Sequence, residues 1–183
     1  VGLEALQIKW TNGPHAHLDQ AQIFKSMREA IHNQPGAVAV TGKKIKGVRS
    51  HQAEYIQPFL AHATMEPMNA TVWVRNGMVD IWTGTQAPDR LVNFVAKLGF
   101  APQHIHLHNH IMGGGFGRRL DVDAVEYAVR IAKHVPTPVQ VIYSREQDMR
   151  HDRYRPCYLD QLSAELDEKG NPIEWRHHIA CLL

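Results

Sequence analysis

At 183 residues, 44% hydrophobic and 21% charged, the chain is long enough for one domain or two small ones sharing a core, and too apolar to be disordered. Its 20 Lys and Arg against 18 Asp and Glu leave a formal charge of +2, with the basic residues scattered, which argues against a nucleic-acid footprint or a polybasic membrane patch. No apolar run reaches the ~18 residues of a membrane span, and Cys157 and Cys181 are too few for a disulfide framework, a zinc site or an iron–sulfur motif, so both are expected as free thiols.

In chain order, "LEALQIKW" is a short strand candidate and "TNGPHAH" a turn-rich connection. Asp19 and Gln22 then form a capping-box-like pair that opens a helix predicted over 19–33, with Phe24, Met27 and Ile31 on one stripe and "NQPG" as its stop. "AVAVTG" alternates as a strand. "TVWVRNGMVDIWTG" is the clearest local signal, because Asn76-Gly77 is a two-residue hairpin turn whose positions both need positive φ. Pairing across it sets Val74 against Val79 and Val72 against Ile81 on an apolar face, with Trp73 and Trp82 on the other.

"TQAPDRLVNFVAKLGF" predicts a helix over 88–98, started by Pro88 and Asp89 and ended by Gly99, with Leu91, Val95 and Leu98 buried. The strand "HIHLHNH" follows. After a glycine run, "DVDAVEYAVRIAKHVP" predicts a helix over 122–134 with Val122, Val125, Val129 and Ala132 on one side. "PVQVIYS" reads as a strand, "REQDMRHDRYRP" as a polar connection, and the rest as a second hairpin around Gly170-Asn171. The class is α+β: a mixed sheet with antiparallel hairpins and three packed helices, treated as a single domain over 1–183. Because the chain opens on Val1 and closes inside an apolar strand, "HHIACLL", it reads as part of a longer protein.

Two stretches carry chemistry. His104, His106, His108 and His110 alternate along one strand face, a spacing that zinc can use with a third ligand from elsewhere. A half-buried strand also needs a polar face, and histidine can fill it without any metal. Neither a His-Glu-x-x-His helix nor a Cys-x-x-Cys pair supports the metal reading, so no metal ligand is assigned. "GGGFGRR" matches neither standard phosphate fingerprint. It nevertheless lies between a strand and a helix, where backbone N–H groups can converge on an anion. Asp121 and Asp123 occupy the helix's first turn and would repel one there, so an anionic ligand should lie over the glycines, with Arg118 and Arg119 reaching toward it.

"LAHATMEPMNATV", "DIWTGTQAPD", "GGGFGRR" and "SREQDM" occur in that order at domain-like spacing. Together they resemble the molybdenum-cofactor-binding subunit of the xanthine dehydrogenase and aldehyde oxidase family, in its isoquinoline 1-oxidoreductase-like branch. The resemblance is carried most specifically by "GGGFGRR" followed by "DVDAVEYA". It implies the molybdopterin-binding region of a longer bacterial subunit that hydroxylates an aldehyde or an N-heteroaromatic carbon with oxygen from water. It also implies a molybdopterin, in the cytosine dinucleotide form, and a small [2Fe–2S] partner subunit that takes the electrons.

By the same resemblance, Gln86 lies near the apical molybdenum ligand. Gly114, Gly115, Phe116 and Gly117 form the loop against the metal ligands and pterin, with Phe116 walling the substrate pocket. Arg118 and Arg119 are cofactor-facing by charge and position, and Glu66 is a structural carboxylate. Purine-hydroxylating members carry a lysine and a glutamate where Arg119-Leu120 stand, so purine is not the expected substrate. The family's general-base glutamate is expected downstream, leaving no catalytic residue in this chain and an inactive isolated fragment. Relatives of this branch are frequently periplasmic or membrane-associated; the residues record no export, and a cytoplasmic setting stays open. The rival readings are a non-catalytic binding or scaffold domain and a zinc hydrolase using the 104–110 histidines.

Overall fold

A computed structural model describes residues 5–33, 36 and 38–182. The sequence treats 1–183 as one domain; in space the chain forms two compact units, Phe59–Arg155 and Val1–Pro58 together with Pro156–Leu183.

The Phe59–Arg155 unit is built on the hairpin. β2 (Asn69–Arg75) and β3 (Met78–Thr83) pair with Val74 opposite Val79 and Val72 opposite Ile81, as the alternation requires. Asn76 and Gly77 adopt φ of 51° and 76°, the left-handed pair that matches the twist of the flanking strands. α2 (Pro88–Lys97) then carries the chain across to β4 (Ile105–Asn109), which lies parallel to β3; a parallel neighbour requires such a crossover. α3 (Asp123–Ala132) leads to β5 (Val139–Ile142), antiparallel to β2, so the sheet order is β4-β3-β2-β5. Val72, Val79 and Ile81 from the sheet bury against Leu91 and Val95 of α2 and Val129 of α3.

The histidine strand is short. His104 ends a 3₁₀ turn and His110 lies beyond β4. His106 and His108 flank Asp80 at 3.8 and 3.3 Å, and Trp82 stacks on His108 with centroids 4.7 Å apart. Arg75 lies over the Trp73 ring and bonds Asp80 at 3.2 Å. Among the described residues no group of three or more His, Cys, Asp or Glu is arranged to hold a metal.

In the other unit Asp19 and Gln22 bond each other's backbone N–H reciprocally, at 2.8 and 3.2 Å, ahead of α1 (Gln20–Asn33). Phe24 and Met27 of α1 bury against Cys157 and Leu159. β1 (Arg49–Gln57), β6 (Cys157–Leu166) and β7 (Pro172–Leu182) form an antiparallel sheet in the order β1-β6-β7, with the predicted turn at Gly170-Asn171 between the last two. Both cysteines are free. No helix among the described residues is long and apolar enough to cross a membrane.

Three sequence readings are corrected, and one strand went unread. Residues 5–10 of "LEALQIKW" and 38–42 of "AVAVTG" form no strand, and Val38 and Val40 are 80% exposed; alternation alone does not supply a neighbouring strand to bond. Leu3, Glu4 and Ala37 from those segments, and Gln34 and Pro35 of "NQPG", lie outside the described residues. β1 escapes the pattern because it is exposed along almost its whole length. The "REQDMRHDRYRP" connection contains a helix, α4 (Arg145–Arg150), capped by Ser144 accepting from Gln147 N–H at 3.1 Å. Six residues without an apolar stripe carry no periodic signal.

Replacing Gly77 by alanine should lower stability by about 1–2 kcal/mol, the cost of a Cβ in left-handed backbone, read as a shift of the urea midpoint with an unchanged slope.

Candidate functional site

β3 and β4 run parallel, so the loops leaving their C-terminal ends emerge on the same edge of the sheet. β3 delivers Gly84-Thr85-Gln86 and β4 delivers the glycine loop. His110 N–H still bonds Thr83 O at 3.0 Å where the strands part. The four alternating histidines are therefore the approach to this loop.

Besides the turn bond from Leu120 N–H to Gly117 O at 3.1 Å, the loop's backbone is tied at six points. Gly113 N–H donates to Glu66 Oε2 at 2.7 Å, and Glu66 N–H returns a bond to Gly113 O at 3.0 Å. Gly114 O accepts from Arg119 Nε at 2.8 Å, and Gly115 O from Arg118 N–H at 2.8 Å. Phe116 O accepts from Arg155 Nη2 at 2.6 Å, and Gly117 N–H donates to Gln86 Oε1 at 3.1 Å. The N–H groups of Gly114, Gly115 and Phe116 have no acceptor among the described residues. Gly114, Phe116 and Gly117 all have positive φ. Phe116, a bulky residue at φ 53° and 62% exposed, holds a conformation that costs of order 1–3 kcal/mol unless its surroundings impose it. A Cβ added to Gly115 would lie 2.6 Å from Gln86 Oε1, so any larger residue there would push Gln86 out of its present position.

Beneath the loop lie the two arginines. The expectation that Arg118 and Arg119 reach outward to a bound oxyanion is corrected here: they are 1% and 0% exposed, and their guanidinium groups are engaged internally. Arg119 donates to the carbonyls of Gly114, Gly84 and Glu66 and lies 3.0 Å from Glu66 Oε2. Arg118 grips Asp123 with a two-pronged pair at 2.8 and 2.7 Å. Its Nε lies 2.6 Å from Asp152 Oδ1, with the N–H poorly aimed, so that contact is an ion pair more than a hydrogen bond. Asp152 Oδ2 accepts from the backbone N–H of His62 at 2.5 Å and lies 3.0 Å from His62 Nδ1.

The sequence misread the helix-end electrostatics for the same reason. Asp123 is neutralised by Arg118, and Asp121 lies 3.5 Å from Arg90. Burial pushes the Asp123 carboxyl up, but the Arg118 bonds and charge outweigh it and hold the carboxyl below its usual range. Burial and the Asp123 charge push the Tyr143 phenol up, so Tyr143 remains a neutral donor to Asp123 Oδ2 at 3.1 Å. Glu66 is likewise raised by burial, then brought below its usual range by Asn69, Gly113 N–H and Arg119.

Several supporting residues were invisible in sequence. Arg145 donates to the carbonyls of Thr64 and Met65 at 2.6 and 2.9 Å and pairs with buried Asp148 at 3.1 Å. His62, Asp152 and Arg155 had no role assigned. Their signal was the charge density of "SREQDMRHDRYR", which reads equally well as a solvated link.

Replacing Asp123 by Asn should cost about 1–3 kcal/mol, because the buried Arg118 guanidinium loses its two-pronged partner and keeps only the Asp152 carboxylate. The Asp123 pKa is depressed in the folded state, so its stabilisation is full above the unfolded carboxyl pKa of ~3.9. It is lost as pH falls through the lower folded value. The acid limb of a Tm–pH profile should therefore be shallower in D123N.

A family model described as a molybdopterin cofactor-binding domain matches residues 27–181. The chain is 35% identical to the isoquinoline 1-oxidoreductase subunit beta of Brevundimonas diminuta, over 96% of this chain and 24% of that protein. It is 31% identical to a membrane-bound aldehyde dehydrogenase (pyrroloquinoline-quinone) of Gluconacetobacter polyoxogenes, over 90% of this chain and 22% of that one. The chain thus spans about a quarter of the length of these relatives. In fold it is similar to the CO dehydrogenase of Oligotropha carboxidovorans, with a TM-score of 0.65 at 18% identity, covering 73% of this chain and 17% of that one. The chain belongs to the molybdopterin cofactor-binding domain family.

Proposed function

We propose that this chain is part of the catalytic subunit of a bacterial molybdenum hydroxylase, oxidising an aldehyde or an electron-poor N-heteroaromatic carbon with oxygen from water. The observation that carries the reading is the polarity of the glycine loop: it is tied inward at six points while three N–H groups, Gly114 to Phe116, are left without an internal acceptor. Donors of that kind suit an anionic or oxo-bearing group, and their fixed positions cost nothing to reorganise. An isoquinoline 1-oxidoreductase subunit and an aldehyde dehydrogenase among the relatives support both substrate classes.

When bound, the molybdenum of the pterin, in the cytosine dinucleotide form, supplies the oxidation, with electrons passing to [2Fe–2S] clusters on a small partner subunit. The chain's own residues position. Gln86 Oε1 accepts from Gly117 N–H, and its Nε2 donors, without an acceptor among the described residues, would be available to a bound group. Gly114, Gly115, Phe116 and Gly117 supply the close backbone surface, and Phe116 presents its ring as a wall. Arg118 and Arg119 act from beneath, as braces. The proton-abstracting glutamate belongs to another part of the subunit. A periplasmic or membrane-associated setting is part of the same proposal.

The test is the complete gene product, co-expressed with its small subunit in a host that makes molybdopterin. Molybdenum and pterin near one per subunit, with dye reduction by aldehydes or N-heterocycles, are the expected results. A quinone chromophore without molybdenum, or stoichiometric zinc, overturns the reading. Gln86→Glu keeps an acceptor for Gly117 N–H but loses the outward donor. It should retain pterin while kcat falls about 10²-fold, the usual cost of one lost donor at a developing charge. Gly115→Ala drives a methyl into Gln86 and should lower the pterin content itself.

A further inference from the structure

The loop has one buried side chain at its edge that nothing above employs. His62 precedes the "MEP" segment, and its side chain is 9% exposed. Its Nδ1 lies 3.0 Å from Asp152 Oδ2, and its Nε2 would be 3.6 Å from a Cβ built on Gly117. Asp152 also forms an ion pair with the Arg118 guanidinium at 2.6 Å. A carboxylate only accepts, so Nδ1 is the ring nitrogen that donates to it. The backbone N–H of His62 on the same oxygen fixes the ring's pivot as well. Nε2 is thereby left as a preoriented hydrogen-bonding atom at the Gly117 end of the loop, with no partner among the described residues.

We propose that His62 is a cofactor-binding residue: its Nε2 contacts a polar atom of the pterin cofactor, and Asp152 holds it in the tautomer and orientation that allow this. This rests on the cradle reading above.

Two variants separate that role from a structural one. Asparagine reproduces the Nδ1–H donor toward Asp152 but ends short of Nε2, whereas glutamine reaches the Nε2 position. In the full-length co-expressed enzyme, His62→Asn should keep its apo-protein melting temperature and hold pterin and molybdenum about tenfold more weakly, the size of one lost hydrogen bond to a charged group. His62→Gln keeps a polar atom at the Nε2 position but gives up the Asp152 bond, so it should hold the cofactor more tightly than His62→Asn and less tightly than wild type. Full retention in His62→Asn, or equal loss in both variants, overturns the proposal while leaving the cradle reading intact. Wild-type enzyme without pterin or molybdenum overturns both. Acylation of wild type by diethyl pyrocarbonate, read by mass spectrometry, is independent of variant folding. Residue 62 should label in the apo form and be protected in the holo form; equal labelling overturns the proposal.

Discussion

Arg118 and Arg119 have almost no exposed surface, and a buried guanidinium is tolerable only when its donors are met by carboxylates or carbonyls. That requirement organises the whole site. Arg118 draws together Asp123 at the start of α3 and Asp152 beyond α4; Arg119 draws together Glu66, the carbonyl of Gly84 and that of Gly114. Segments far apart in sequence are thus tied to one glycine loop by charge. Each guanidinium has more than one partner, so removing one weakens the site without leaving the buried charge wholly uncompensated.

The consequence for the loop is a division of labour between its two sides. A run of four glycines and a phenylalanine is flexible in isolation, and three of its residues sit at positive φ. Glu66, Gln86, Arg155 and the arginines hold it in one conformation by bonding its carbonyls and the N–H groups of Gly113 and Gly117. The N–H groups of Gly114, Gly115 and Phe116 are left without an acceptor among the described residues. Rigidity here comes from polar anchoring of the backbone, with little apolar packing.

The sheet decides where this happens. Because β4 adds parallel to β3, both chains exit at the same edge, and Gln86 and the glycine loop meet there without any motif linking them in sequence. His106 and His108 have a local purpose on that strand pair, flanking buried Asp80 while Trp82 stacks on His108.

Local signals were legible wherever the physics was local. The Asn76-Gly77 turn, the Asp19–Gln22 cap, the crossover helix begun by Pro88 and the register of Val72 and Val74 all follow from neighbouring residues, and the structure has each of them. Segments whose fate depended on a distant partner were not legible: 38–42 alternates but finds no strand, and β1 finds one despite showing no pattern. The same holds in the site. The sequence alone determined that a glycine loop joins a strand to a helix and that Gln86, Glu66 and the loop belong to one family pattern. Only the tertiary structure decided that Arg118 and Arg119 point inward, since the direction of a charge is set by carboxylates that lie elsewhere in the chain and meet it only in the fold.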